Sequence, residues 1–287
     1  MEKMLELRAP AKINLGLEVI RRRPDGYHDI NTIFAAVDLH DTIFLKSRPD
    51  NAIDCRVEGN DSLTSDRNNL CVRAAEALRN ATGCRRGLDI ALHKRIPMGA
   101  GLGGGSSDAA AVLKGAATLW GIDPGDRVLH ELAAGIGSDV PFFLGAPLAI
   151  AVSRGEELRA LDMNLPHAIL LINPGIHVAT PWAYGAVNRG SGRSASDLTT
   201  ILQRGLVSPD LLAGQLVNDF EPAVFAEYPL LRMLKERLYE AGALFALMSG
   251  SGSTMFGLFQ RMEDALHAAT NFPGCWHAVT RFAARRE

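Results

Sequence analysis

The densest chemistry in this 287-residue chain lies at P-M-G-A-G-L-G-G-G-S-S-D, residues 97–108. Five of the seven residues from Gly99 to Gly105 are glycine. Without Cβ atoms in the way, successive backbone N–H groups can turn inward and converge on an anion. An Ala-rich helix follows, and the partial positive charge of its N-terminus falls at the same place. A polyphosphate is the expected guest.

Three familiar phosphate loops are excluded. Gly99–Gly104 formally fits G-x-G-x-x-G, but a dinucleotide fold places that loop after its first strand, with an acidic residue ending the next strand. Here the loop comes about 100 residues into the chain, and the next acidic residue, Asp123, follows a helix. A Walker A loop requires a lysine that is missing. The H-R-D and D-F-G signatures of protein kinases are absent as well.

The surrounding elements must hold the loop in place. Gly87–Ile96 alternates Leu88, Ile90 and Leu92 with polar neighbours, as a strand does. The order is therefore strand, glycine loop, helix, with Ser106-Ser107-Asp108 offering N-caps and Gly121 a stop. Before it, Leu5–Val19 reads as two short strands or one bent at Pro10, followed by a turn at Pro24-Asp25-Gly26 and a strand at Ile30–Ser47. A helix starts at Leu70, and another at Asp126–Ala134 leads into the loop Gly135–Pro141. Further on come a buried strand in His167–Gly175, helices around Val207–Leu216 and Leu230–Ala241, and a strand–glycine turn–strand in L-F-A-L-M-S-G-S-G-S-T-M-F-G-L-F. The pattern predicts a mixed α/β (α+β) chain with a division near residue 160, giving segments 1–160 and 161–287.

Composition narrows the function classes. Lys plus Arg is 30 and Asp plus Glu is 32, a net charge of −2. No basic excess drives binding to nucleic acid or an anionic membrane. No apolar run reaches the roughly 18 residues of a membrane span, and the N-terminus has no signal-like apolar stretch, so a cytoplasmic protein is expected. The four cysteines are scattered, which disfavours both disulfides and zinc.

With its flanking motifs P-A-K-I-N-L-G-L-E-V and S-G-S-G-S-T-M-F-G-L-F, the glycine motif resembles that of the GHMP kinases, in the same order along the chain. R-P-D-G-Y-H, G-I-G-S-D-V-P-F-F-L and N-P-G-I-H-V-A-T-P-W-A-Y resemble the branch that phosphorylates the 2-hydroxyl of diphosphocytidyl methylerythritol in the non-mevalonate isoprenoid pathway. The resemblance implies two domains with the site in the cleft between them, ATP as co-substrate, Mg²⁺ arriving with it, and a monomer or homodimer. It also assigns residues. Lys12 and Asp139 match the catalytic pair. The nucleotide falls to Asn69 and to Pro97, Met98, Gly99, Ala100, Gly101, Leu102, Gly103, Gly104, Gly105, Ser106 and Ser107. The cytidylyl substrate falls to Asn14, Tyr27, His28, Thr180 and Tyr184.

Phosphoryl transfer explains why such residue types are needed: a carboxylate to receive the alcohol proton and a cation for the moving phosphoryl charge. A base needs an aromatic face and a hydrogen-bonding edge. Several alternatives stay open on spacing alone. Trp182 competes with Tyr184 for the stack, and Asn68 with Asn69 for adenine. Lys94 and Arg95 read equally as nucleotide contacts or exposed strand charges, and S-G-S-G-S-T as a pocket element or a plain hairpin. Ser106 and Ser107 place hydroxyls near phosphate oxygens or their Mg²⁺. No nearby carboxylate carries a metal-ligand signature, so no protein ligand to the metal is assigned.

Overall fold

The computed structural model describes residues 4–59, 68–187 and 192–284. In chain order the elements are β1 (Met4–Arg22), β2 (His28–Arg48), β3 (Ile53–Glu58), α1 (Leu70–Thr82), β4 (Gly87–His93), α2 (Gly104–Trp120) and α3 (Asp126–Ile136). A 3-10 turn at Pro141–Leu144 leads to β5 (Leu148–Ser153), β6 (Glu157–Ala160), β7 (Ala168–Asn173), α4 (Thr180–Ala186), α5 (Leu198–Val207) and α6 (Asp210–Gln215). The chain closes with α7 (Glu221–Glu227), α8 (Pro229–Glu240), β8 (Phe245–Met248), β9 (Met255–Phe259), α9 (Met262–Ala269) and β10 (Trp276–Arg281). The chain through Pro10 is one strand, not two. Where one helix was expected around Val207–Leu216, α5 ends at Val207 and α6 begins at Asp210. Ser208 is extended (φ −136°, ψ 89°) because it precedes Pro209, which disfavours helical backbone there.

The chain forms two compact units. The first comprises residues 1–11, 39–96 and 103–146. In it β3 runs parallel to β4, and β4 runs antiparallel to the distal part of β2, Thr42 facing His93. Ile43, Leu45, Leu88, Ile90 and Leu92 bury their side chains with Leu78 of α1 and Val112, Leu113 and Trp120 of α2. Their alternation on the strands and helical spacing on α2 put every one of them on a single face.

The second unit comprises residues 12–38, 97–102 and 147–287. Its four-stranded antiparallel sheet has the order β10-β7-β9-β8. Every residue of Ala168–Asn173 is buried, as expected for an uninterrupted apolar central strand. Helices α7, α8 and α9 contribute Val224, Leu231, Leu234, Leu238 and Ala265 to the same core. In this unit the proximal part of β2 pairs with β5, Ile30 facing Ser153.

Candidate active site

Residues 97–102 of the glycine loop belong to the second unit. Ala100 and Leu102 are buried and anchor the loop, while Met98 and Gly99 face outward. Three contacts hold it. The Lys12 N–H donates to the Leu102 carbonyl at 2.9 Å, the Thr254 N–H to the Ala100 carbonyl at 3.3 Å, and the Ser249 hydroxyl to the Gly101 carbonyl at 2.8 Å. Gly101 sits at φ +77°, and a Cβ there would lie 2.1 Å from the Ser249 carbonyl oxygen. Only glycine permits that approach. The S-G-S-G-S-T stretch is thus both the β8–β9 turn and the support of the glycine loop. Its own anchor is Asn218, whose Nδ2 donates to the Met248 and Gly250 carbonyls at 2.7 and 2.8 Å.

Lys12 lies on β1 and is only 4% exposed. Its Nζ donates to Asn14 Oδ1 at 2.8 Å and sits 5.0 Å from the centre of the Phe34 ring. Asn14 in turn donates to the Thr32 hydroxyl at 2.9 Å, and Thr32 to the Gly16 carbonyl at 2.6 Å. A buried ammonium is costly unless it is paired or hydrogen-bonded, and this relay fixes its direction.

The His28 and Tyr184 rings stack with centroids 4.8 Å apart and planes at 21°. Phe220 braces Tyr184 edge-on at 4.8 Å. Trp182 instead packs edge-on against Tyr228, at 6.0 Å. Two residues along a helix is roughly 200° around its axis, so the two rings of α4 face different neighbours. Geometry therefore separates the candidates: Tyr184 is the ring beside His28. Burial and the charge of Arg22 hold the His28 imidazole below its usual pKa, so near neutrality it keeps one donor and one acceptor nitrogen. Tyr27 is 54% exposed, with the Arg154 guanidinium 5.0 Å above its ring. Thr180, at the first position of α4, shares a 3.0 Å hydrogen bond with the Ser251 hydroxyl of the glycine turn.

The remaining candidate residues lie in the first unit. Helix α2 starts at Gly104, and its N-cap is Gly103 in the left-handed region (φ +68°) with no side-chain cap. Ser106-Ser107-Asp108, expected as caps, lie inside the helix. Gly103 reaches a backbone conformation that a capping serine would adopt only with strain, which moves the helix start forward. Ser106 is half-buried, and the Ser107 hydroxyl is buried without a hydrogen-bond partner. Asn69 is buried and caps α1, its Oδ1 accepting from the Cys71 N–H at 2.9 Å; Asn68 beside it is exposed. Asp139 is half-buried in the tight turn between α3 and the 3-10 turn, which the Val140 N–H closes by donating to the Gly137 carbonyl at 3.1 Å.

Lys94 is not an exposed strand charge. Its side chain is 5% exposed and its Nζ donates to both Asp41 and Asp108, the latter at 2.8 Å. Burial pushes the Asp108 carboxyl up to about 7, with Lys94 working against the shift and the Asp41 charge adding to it. Between an unfolded value near 4 and about 7, the native chain holds a proton that the unfolded chain releases, so this residue makes stability fall as pH rises through that window. Asp108→Asn is neutral at all pH values. The melting temperature of the variant relative to the native chain is expected to rise by roughly 3 °C or more between pH 5 and pH 8. Parallel curves would show that Asp108 does not titrate in this range.

The models described as GHMP kinases N terminal domain and GHMP kinases C terminal match residues 69–146 and 197–276. A 4-diphosphocytidyl-2-C-methyl-D-erythritol kinase of Prosthecochloris aestuarii is 41% identical over 276 residues, 96% of either chain. The chain belongs to the 4-diphosphocytidyl-2-C-methyl-D-erythritol kinase family of GHMP kinases. The Chlorobium phaeobacteroides kinase of the same name is 44% identical over 92% of this chain and 90% of its own. A crystal structure of a 4-(cytidine 5′-diphospho)-2C-methyl-D-erythritol kinase, 36% identical, covers 96% of this chain and 99% of its own with a TM-score of 0.79. A homoserine kinase from Cytophaga hutchinsonii reaches a TM-score of 0.76 at 19% identity and shares the fold alone.

Sequence reasoning missed several buried polar supports of these candidate residues: Asp41 in the first unit, and Thr32, Asn218 and Glu221 in the second. Buried Glu221 accepts from the Met248 N–H at 2.9 Å and from Lys235 at 2.6 Å, steadying the strand that enters the glycine turn. A polar residue inside an apolar run was the one available signal, and it names no partner.

Proposed function

We propose that the chain transfers the γ-phosphoryl group of MgATP to the 2-hydroxyl of 4-diphosphocytidyl-2-C-methyl-D-erythritol, releasing ADP and the 2-phosphate. The observation that carries this reading is the company kept by β1 and β2. The buried Lys12–Asn14–Thr32 relay, the phosphate loop bonded to Lys12, and the His28–Tyr184 stack all belong to one compact unit. A sugar or homoserine kinase would share the glycine loop and has no use for a base-stacking pair.

In this mechanism residues 97–107 cradle the phosphates through backbone N–H groups and the α2 N-terminus. Lys12 neutralises charge on the moving phosphoryl group, and Asp139 receives the proton of the attacking hydroxyl. Asn14 and Thr180 hold the methylerythritol portion, Tyr27, His28 and Tyr184 the cytosine, and Asn69 the adenine. Mg²⁺ enters as part of the co-substrate. Among the described residues no cluster of three or more His, Cys, Asp or Glu side chains is placed to hold a metal; this reading assigns the metal to phosphate and water. The family models fall on either side of residue 160, which supports sequence domains 1–160 and 161–287; the compact units cross that division, since residues 12–38, 97–102 and 147–160 belong to the second unit. Among the described residues no helix is long and apolar enough to cross a membrane; we place the enzyme in the cytoplasm, as a monomer or homodimer.

An ADP-release assay with MgATP tests the reading, comparing diphosphocytidyl methylerythritol with methylerythritol 4-phosphate, mevalonate and homoserine. Turnover on the cytidylyl compound alone is expected; turnover on another alcohol instead would dismantle the cytosine site. Tyr184→Ala removes one stacking face, worth about 1–3 kcal/mol. It should raise KM for the cytidylyl substrate roughly tenfold or more and leave that for ATP within about twofold. Equal effects on the two substrates would move the stack elsewhere.

A further inference from the structure

Three ionisable side chains meet in the interior of the first unit: Asp41 of β2, Lys94 just after β4, and Asp108 of α2. Side-chain exposures are 0%, 5% and 3% respectively. Asp41 does more than pair with the ammonium. Its Oδ1 accepts the backbone N–H groups of Arg95 at 2.5 Å and Ile96 at 2.9 Å. The Lys94 N–H donates to the Glu58 carbonyl at 2.9 Å, so backbone bonds fix three successive residues before the glycine loop. On the other side of the loop, Asp108 reaches the same ammonium from the second turn of α2. A Cβ on Gly104 would lie 3.0 Å from Ile96 Cγ2 and 3.3 Å from Lys94 Nζ, so the helix start rests directly on the cluster.

Burying two carboxyl groups and one ammonium is not a route to stability, since desolvation offsets most of the attraction. Such a cluster is better suited to holding geometry. We infer that Asp41, Lys94 and Asp108 are positioning residues for the nucleotide: they clamp residues 94–96 and the start of α2, and so set the spacing and direction of the N–H groups that flank the glycine loop. This rests on the reading of residues 97–107 as the ATP phosphate site. The clamp acts through backbone, and Lys94 itself does not touch the nucleotide.

Calorimetric titration with MgATP and, separately, with diphosphocytidyl methylerythritol tests the clamp in the full chain. Asp41→Asn keeps the side-chain shape but removes the charge that holds Lys94. It is expected to raise the dissociation constant for MgATP about tenfold, the scale of one charge-assisted hydrogen bond, and to leave that for the cytidylyl ligand within twofold. Lys94→Met should match it, because both release the same clamp. A large effect of Lys94→Met with none of Asp41→Asn would make Lys94 a direct nucleotide contact and overturn the proposal. So would equal weakening of both ligands, or no change in either. If Asp41→Asn does not fold, Asp108→Asn carries the test from the other arm, with a threefold rise in the MgATP constant expected and an unchanged value overturning it. Native chain that binds no MgATP would remove the reading of the loop itself, a result distinct from variants that leave intact binding unmoved.

Discussion

Replacing Asp139 by asparagine is expected to lower kcat about 1,000-fold while the dissociation constant for MgATP stays within about twofold. An amide has nearly the carboxylate's shape and can preserve the turn closed by Val140 and Gly137, but it cannot take a proton from the attacking alcohol. Positioned general bases contribute roughly 10²- to 10⁴-fold, and the acceptor here is a hindered tertiary alcohol. Rapid-quench measurement of the chemical step, alongside equilibrium nucleotide binding, separates the two quantities. Full activity in the variant would remove Asp139 from the mechanism.

The second large effect is expected at Lys12. Methionine retains the buried stem against Phe34 and removes only the ammonium. Loss of one preorganised charge at a transferring phosphoryl group costs on the order of 10²- to 10³-fold in kcat, because its attraction grows as charge develops in the transition state. KM for either substrate should change little. The opposite pattern, a raised KM with unchanged kcat, would make Lys12 a ground-state binding residue. Lys12→Arg is not a safe conservative control, since a planar guanidinium cannot reproduce a point charge aimed through Asn14.

Local rules account for what the sequence by itself determined. The run Gly99–Gly105 predicts a phosphate loop because its chemistry is carried by backbone conformation, and glycine alone reports that directly. The strand before it and the helix after it follow from periodicities of two and 3.6 residues, which are properties of neighbours in sequence. The resemblance of its motifs to those of GHMP kinases placed the chain in the family that its relatives share.

Tertiary structure decided whatever depends on a partner distant in sequence. Lys94 read equally as a nucleotide contact or a surface charge until the fold brought in Asp41, 53 residues earlier, and Asp108, 14 residues later. Tyr184 and Trp182 were equivalent by spacing, and the rotation of α4 alone assigned one ring to His28 and the other to Tyr228. Ser249 became a support of the glycine loop only because Gly101, 148 residues away, admits its carbonyl within the space of a missing Cβ. The physical reason is common to all three. A side chain's type limits what it can do, but burial and the identity of its neighbours decide which of those things it does, and both are set by long-range packing.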